Sequence, residues 1–249
     1  MSIELKSHNE VIKFSLIKDV ELTIKREDKI HADISGNKYR KLKYNLISAK
    51  ENDFDTLLTF GGAFSNHIAA TASAGAEFGF KTIGIIRGNE LKDKILDNPT
   101  LKFAQKCGMK FKFVTRELYR NKTDSKFLND LKKEFGNIYF LPEGGTNELA
   151  IKGCEEILTD IDDQYNFVCV AVGTGGTISG LINSSGTHQR ILGFPALKGD
   201  FLSKEISLLS SKDNWSLIPE YHFGGYGKIN SALITFINQF KQETKIPLD

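Results

Sequence analysis

The chain has 249 residues, enough to bury a substantial core as one large domain or two small ones. With 40% hydrophobic and 26% charged residues it reads as an ordinary soluble globular protein, and a formal net charge of +2 supplies no field that would single out nucleic acid or a membrane surface as partner. Glu4, Lys6, His8, Glu10 and Lys13 interrupt the first fourteen residues, so the apolar core of a signal peptide is missing, no span is long enough for a transmembrane helix, and the cytoplasm is the expected compartment.

In chain order, Gly36-Asn37 reads as a turn before a helical stretch from Tyr39 to Lys50. Three strand-helix pairs follow: Thr56 to Phe60 with a helix from about Asn66, Thr82 to Ile86 with a helix around Thr100 to Cys107, and Lys110 to Val114 with a helix around Ser125 to Phe135. Phe167 to Val172 is a nearly continuous apolar run, expected to be a strand buried on both faces, and a helix is expected from near Ile178. Such alternation predicts parallel sheets with crossover helices, the α/β class. Repeats, low-complexity tracts and Pro/Ser-rich linkers are absent. Cys107, Cys154 and Cys169 are odd in number and widely spaced, and the five histidines show no metal-ligand spacing, so neither a disulfide framework nor a metal site is expected.

Three motifs carry chemistry. Lys38 stands in Ser35-Gly36-Asn37-Lys38-Tyr39-Arg40-Lys41-Leu42-Lys43 at a helix start, where the positive end of the helix dipole favours a neutral amine and eases imine formation. The bland reading of the same run is a solvated basic face. Gly173-Thr174-Gly175-Gly176-Thr177 lies between the apolar strand and the helix near Ile178, so several backbone N–H groups could converge on one anion. It is neither a Walker loop nor a dinucleotide fingerprint, because no Gly-Lys-Ser/Thr follows and Ile178 stands where a third glycine would be needed; a plain tight turn is the alternative. Gly61-Gly62-Ala63-Phe64-Ser65-Asn66-His67 follows a strand and opens a helix, so Ser65 or Asn66 could be an N-cap, and Ser65 with His67 lacks the acid of a hydrolase triad. One lysine able to form a Schiff base and one cradle for a monophosphate are what pyridoxal 5'-phosphate (PLP) requires of a protein.

In this order the motifs resemble the PLP-dependent fold-type II enzymes, specifically the 1-aminocyclopropane-1-carboxylate deaminase / D-cysteine desulfhydrase family. The resemblance runs from about Leu22 to Asp249 and takes in Pro142-Glu143-Gly144-Gly145-Thr146-Asn147, Gly193-Phe194-Pro195 and Phe223-Gly224-Gly225-Tyr226-Gly227-Lys228. It implies two open twisted sheets in three αβα layers, with residues 50–145 as a small domain inserted in a large PLP-binding domain made of 1–49 and 146–249. It further implies that Lys38 carries PLP, that Gly173, Thr174, Gly175, Gly176 and Thr177 hold its phosphate, and that Asn66 bonds its phenolic oxygen. Ser65, Asn66 and His67 would meet the substrate, Lys38, Ser65 and Tyr226 would be catalytic, and Glu143 and Thr146 would shape the phosphate side or the domain seam. The implied reaction is a lyase or deaminase reaction on a small amino acid, releasing ammonia and a 2-oxo acid, in a homodimer. A D-amino acid or other thiol-bearing substrate is slightly preferred because Ser65-Asn66-His67 resembles the desulfhydrase branch.

Two departures stand out. Phe64 and Ile68 occupy places where members of the family often carry polar or basic residues. After Ile246-Pro247-Leu248-Asp249 the family continues into a segment with another active-site tyrosine and the group facing the pyridine nitrogen, and nothing in this chain replaces it. Uncovered apolar surface is therefore expected, and a PLP- or phosphate-binding protein with little turnover is the alternative to an enzyme.

Overall fold

The computed structural model describes residues 7–16, 19–34 and 36–248. Ser35 of the lysine motif, residues 1–6 of the N-terminal stretch and Asp249 lie outside the described residues. β1 (Asn9–Ile12) and β2 (Leu22–Lys25) pair antiparallel. Gly36, at φ 58°, then turns the chain into α1 (Asn37–Glu51), a left-handed step that only glycine takes without steric penalty. β3 (Thr56–Gly61) leads to α2 (Asn66–Phe78), capped by Ser65, whose Oγ accepts from the Ile68 N–H at 3.4 Å. Next come β4 (Lys81–Arg87), α3 (Pro99–Lys106) capped by Asn98, β5 (Lys110–Val114), α4 (Arg116–Arg120), α5 (Ser125–Phe135) capped by Asp124, and β6 (Ile138–Leu141). The remainder folds as α6 (Glu148–Glu155), β7 (Phe167–Val172), α7 (Gly176–Ser184), β8 (Arg190–Pro195), α8 (Phe201–Leu209), β9 (Trp215–Leu217) and α9 (Ser231–Thr244).

Two parallel sheets result, β5-β4-β3-β6 and β7-β8-β9, with helical crossovers throughout, so the α/β class read from the alternation is what the chain adopts. Every residue of β3 is buried. On one face Leu58, Phe60 and Ile85 pack against Phe127 and Leu131 of α5; on the other side of the sheet Ile86 meets Ile68 and Ala72 of α2 and Leu101 and Ala104 of α3. Each such aliphatic side chain contributes about 1.5–3 kcal/mol on burial. An exposed ion pair such as Lys81–Asp55 contributes about 0.2–1 kcal/mol, so these two apolar faces, and not surface charge, make this sheet the middle layer of three.

The second sheet corrects one expectation. β7 is not buried on both faces: Phe167 is 63% exposed, and Cys169 and Ala171 are exposed with it, while Val168, Val170 and Val172 face the helices. β7 is an edge strand, and the packed helices α6, α7 and α8 cover only the face that carries Val172 and Ile191, with Leu202 and Ile206 of α8 packed against it. An unbroken apolar run cannot show which of its faces a neighbour will cover.

Two glycines set the spacing of the helices under this sheet. A Cβ on Gly153 of α6 would stand 1.9 Å from the Arg40 carbonyl oxygen of α1, and one on Gly180 of α7 would stand 2.4 Å from Cβ of Cys154. α1, α6 and α7 therefore cross at backbone contact, which brings the start of α1 to the start of α7.

Candidate active site

Lys38 is the second residue of α1 and half-buried, and Lys41 follows one turn later on the same face. Lys41 is only 2% exposed. Its Nζ donates to the Gly144 carbonyl at 2.8 Å, to Thr146 Oγ1 at 2.9 Å and, more weakly, to Thr174 Oγ1 at 3.4 Å. Burial, aided by the neighbouring charge of Lys38, lowers its pKa to about 7. Thr146 and Thr174 share a hydroxyl hydrogen bond at 2.6 Å, and Asn37 Nδ2 donates to Thr177 Oγ1 at 2.7 Å. A buried cation and three hydroxyls thus meet at the glycine-rich turn that opens α7.

Whether that turn fits a phosphate is a question of space. Gly175 takes φ 83° as the N-cap of α7, leaving the first-turn N–H groups without intrahelical partners. A Cβ on Gly176 would lie 2.9 Å from Thr146 Oγ1 and 3.1 Å from Lys41 Cε, and one on Gly144 would lie 2.6 Å from Thr174 Oγ1. A Cβ on Gly173 would meet nothing within 4 Å. The turn is closed where backbone must approach the hydroxyls and open where a ligand would enter, and the donor set fits the phosphate of PLP.

His67 lies against the neighbouring 142–145 turn. It is 1% exposed, and a Cβ on Gly145 would come within 2.7 Å of its Cε1. Neither ring nitrogen has a well-formed hydrogen bond; its contact with the Pro142 carbonyl falls short of one. Burial first, then the charges of Lys38 and Lys41, hold its pKa well below the usual histidine value, so the ring is neutral. His67 against Gly145, Lys41 on the Gly144 carbonyl and Asn37 on Thr177 bring the starts of α1, α2 and α7 together.

Of the residues expected from sequence, Lys38, His67 and residues 173–177 are brought together. Ser65 is half-buried and caps α2, and Asn66 is its exposed first helical residue. Tyr226 is 60% exposed in the turn region after β9, where Gly225 lies near Lys198. Lys41 was read as one member of a basic run. The signal that marks it is its spacing of three from Lys38, which stacks both amines on one helical face. Cys154, buried beside Thr177, has its thiol pKa raised to about 11 by burial, which keeps it protonated. No cluster able to hold a metal ion occurs among the described residues.

Residues 10–193 match the family described as "Pyridoxal-phosphate dependent enzyme". The chain belongs to that family. Its cofactor is therefore PLP. A protein of Thermotoga maritima named "Putative 1-aminocyclopropane-1-carboxylate deaminase" is 35% identical over 91% of this chain and 78% of its own length. The mitochondrial "Bifunctional D-cysteine desulfhydrase/1-aminocyclopropane-1-carboxylate deaminase" of Arabidopsis thaliana is 33% identical over 65% of this chain, which spans less than half of that protein, 44%. The crystal structure of an "ACC deaminase homologue" superposes with a TM-score of 0.83 at 24% identity, covering 99% of this chain and 81% of that one; it establishes the fold, a fold-type II arrangement of parallel α/β sheets.

Proposed function

We propose that this PLP enzyme acts on a small amino acid, eliminating sulfide from D-cysteine with release of ammonia and pyruvate, or opening a cyclopropane amino acid to ammonia and a 2-oxo acid. The observation that carries the reading is the buried Lys41 ammonium site, bonded to Thr146 and Thr174 beside the open Gly173 turn and one helical turn from Lys38. Bound PLP supplies a carbon that captures the substrate amine and an electron-poor ring that accepts negative charge from the substrate.

The chain's own groups do the rest. Lys38 would hold the cofactor through its ε-amine and, once released, hold and move a proton at the substrate carbon. Lys41, Thr146, Thr174, Thr177 and the first N–H groups of α7 would hold the phosphate, fixing the ring's position. Asn66 would orient the phenolic oxygen, and the hydroxyl of Ser65, whose oxygen caps α2, can still donate to a substrate carboxylate. Neutral His67 would support the neighbouring 142–145 turn and meet the substrate at the α2 start. We place residues 50–145 as the small domain against a large domain of 1–49 and 146–249, in a cytoplasmic homodimer with no nucleic-acid or membrane partner. The net charge of +2 supplies no strong field toward nucleic acid or a membrane surface, and no helix among the described residues is long and apolar enough to cross a membrane.

A second reading, cofactor binding with little turnover, is favoured by the 60% exposure of Tyr226, the residue otherwise assigned to the substrate side of the ring. Absorbance spectra after PLP addition, with Lys38→Ala alongside, test the first step: a lysine-bound band is expected only in the wild type. Ammonia and 2-oxo acid release from D-cysteine and from 1-aminocyclopropane-1-carboxylate then separates the readings. A band without release from either supports the second; no band in folded wild-type protein sinks both.

A further inference from the structure

A cavity of about 610 Å³, within the usual range for small-molecule sites, opens at the carboxyl end of the four-stranded sheet. It shares the 142–145 turn with the phosphate cradle: Glu143 lines the cavity, while the carbonyl of Gly144 faces Lys41. Its wall is cationic. Arg87 from the end of β4, Arg116 and Arg120 of α4, and Lys122 line it against one carboxylate, Glu143.

Two of these charges lie over Tyr119, which is 3% exposed, with the Arg87 guanidinium 5.7 Å and Lys122 Nζ 5.3 Å from the ring centroid. Glu143 is already engaged, accepting from the Tyr119 hydroxyl at 2.8 Å and pairing with Lys122 at 3.3 Å. Arg116 pairs with Glu90 at 2.7 Å. Arg87 and Arg120 have no ion pair among the described residues. Like charges held at one concave surface repel, and an anion in the cavity relieves that repulsion while meeting the planar donor forks of two arginines. The apolar lining is Ala63, Leu91 and Phe64, the last 67% exposed.

We propose that this cavity binds a small organic anion, its phosphate or carboxylate group between Arg87 and Arg120 and its body against Phe64. The site goes beyond the proposed reaction and does not need turnover. The same chemistry has two sources, a separate anionic ligand or an acidic side chain of the amino-acid substrate itself.

The test is calorimetric titration of the PLP-loaded protein, in phosphate-free buffer, with inorganic phosphate and with phenyl phosphate, following cofactor absorbance in the same samples. Saturable binding at one site is expected, tighter for phenyl phosphate. R87Q/R120Q, two exposed positions, should weaken both ligands at least tenfold, and Phe64→Ser should remove only the advantage of the phenyl group. The absence of saturable binding, an unchanged affinity in R87Q/R120Q, or heat that accompanies loss of cofactor absorbance would each overturn the proposal, the last because phosphate is then displacing PLP from its own cradle. Where amino-acid turnover is measurable, competitive inhibition by phenyl phosphate assigns the anion site to the substrate, and turnover indifferent to it assigns a separate ligand.

Discussion

Lys41 concentrates the physics of the site. A lysine with its amine buried and bonded only to a carbonyl and two hydroxyls is an unbalanced charge, which is why its pKa falls to about 7. Below pH 7 it is protonated in folded and unfolded chains alike, and above its ordinary value of 10.5 it is neutral in both. Between them only the unfolded chain holds the proton, so the stability of the cofactor-free protein rises with pH across that window. Thermal melts of apo protein from pH 7 to 10 should show this rise, and Lys41→Met, which keeps the apolar stem, should flatten it. The same variant should weaken PLP binding by about 1.5–3 kcal/mol, ten- to hundredfold, the usual worth of a hydrogen bond to a charged group. A PLP affinity unchanged in Lys41→Met would remove the lysine from the cradle. Lys38 was legible because its motif is local. Lys41 reads like any other member of the basic run, since burial at that position comes from residues more than a hundred places away.

At the scale of elements, boundaries were read well where capping residues mark them. The helix at Ser125–Phe135 and the strand at Lys110–Val114 fall at the expected residues, and Ser65 takes the capping role that sequence left open between it and Asn66. Short elements such as β6 and β9 carry too few periods to announce themselves. The α1–α6 crossing was also invisible, because a glycine inside a helix reads as a weakness until the opposing backbone is seen. Gly153→Ala would drive its Cβ into the Arg40 carbonyl, and overpacking against backbone lies at the upper end of the usual range, about 3 kcal/mol. For a chain of this size that is a fall in Tm of roughly 6–12 °C. The displacement of α1 should also loosen PLP. A Gly153→Ala protein that melts with the wild type would show that the helices do not cross this closely.

For the whole molecule, the two sheets differ in how they are covered: β3 has helices on both sides, while β7 exposes Phe167, Cys169 and Ala171. The three thiols report on this difference. Cys169 is exposed, Cys107 intermediate and Cys154 buried, so a thiol reagent should modify one cysteine rapidly in the native protein and all three after denaturation. Cys169→Ser should abolish the fast phase. Protection of Cys169 in the native protein would mean that this face is covered in solution.

The sequence by itself determined the α/β class and the order of the motifs, with Lys38 as the lysine proposed for PLP, because each rests on residues within a few positions of one another: apolar period, glycine turns and helix starts. Only the tertiary structure decided that Lys41 enters the cradle, that β7 keeps an open face and that four cations line one cavity. Those outcomes depend on which distant backbone approaches which, and a single apolar run or basic run is compatible with several answers until the helices are packed.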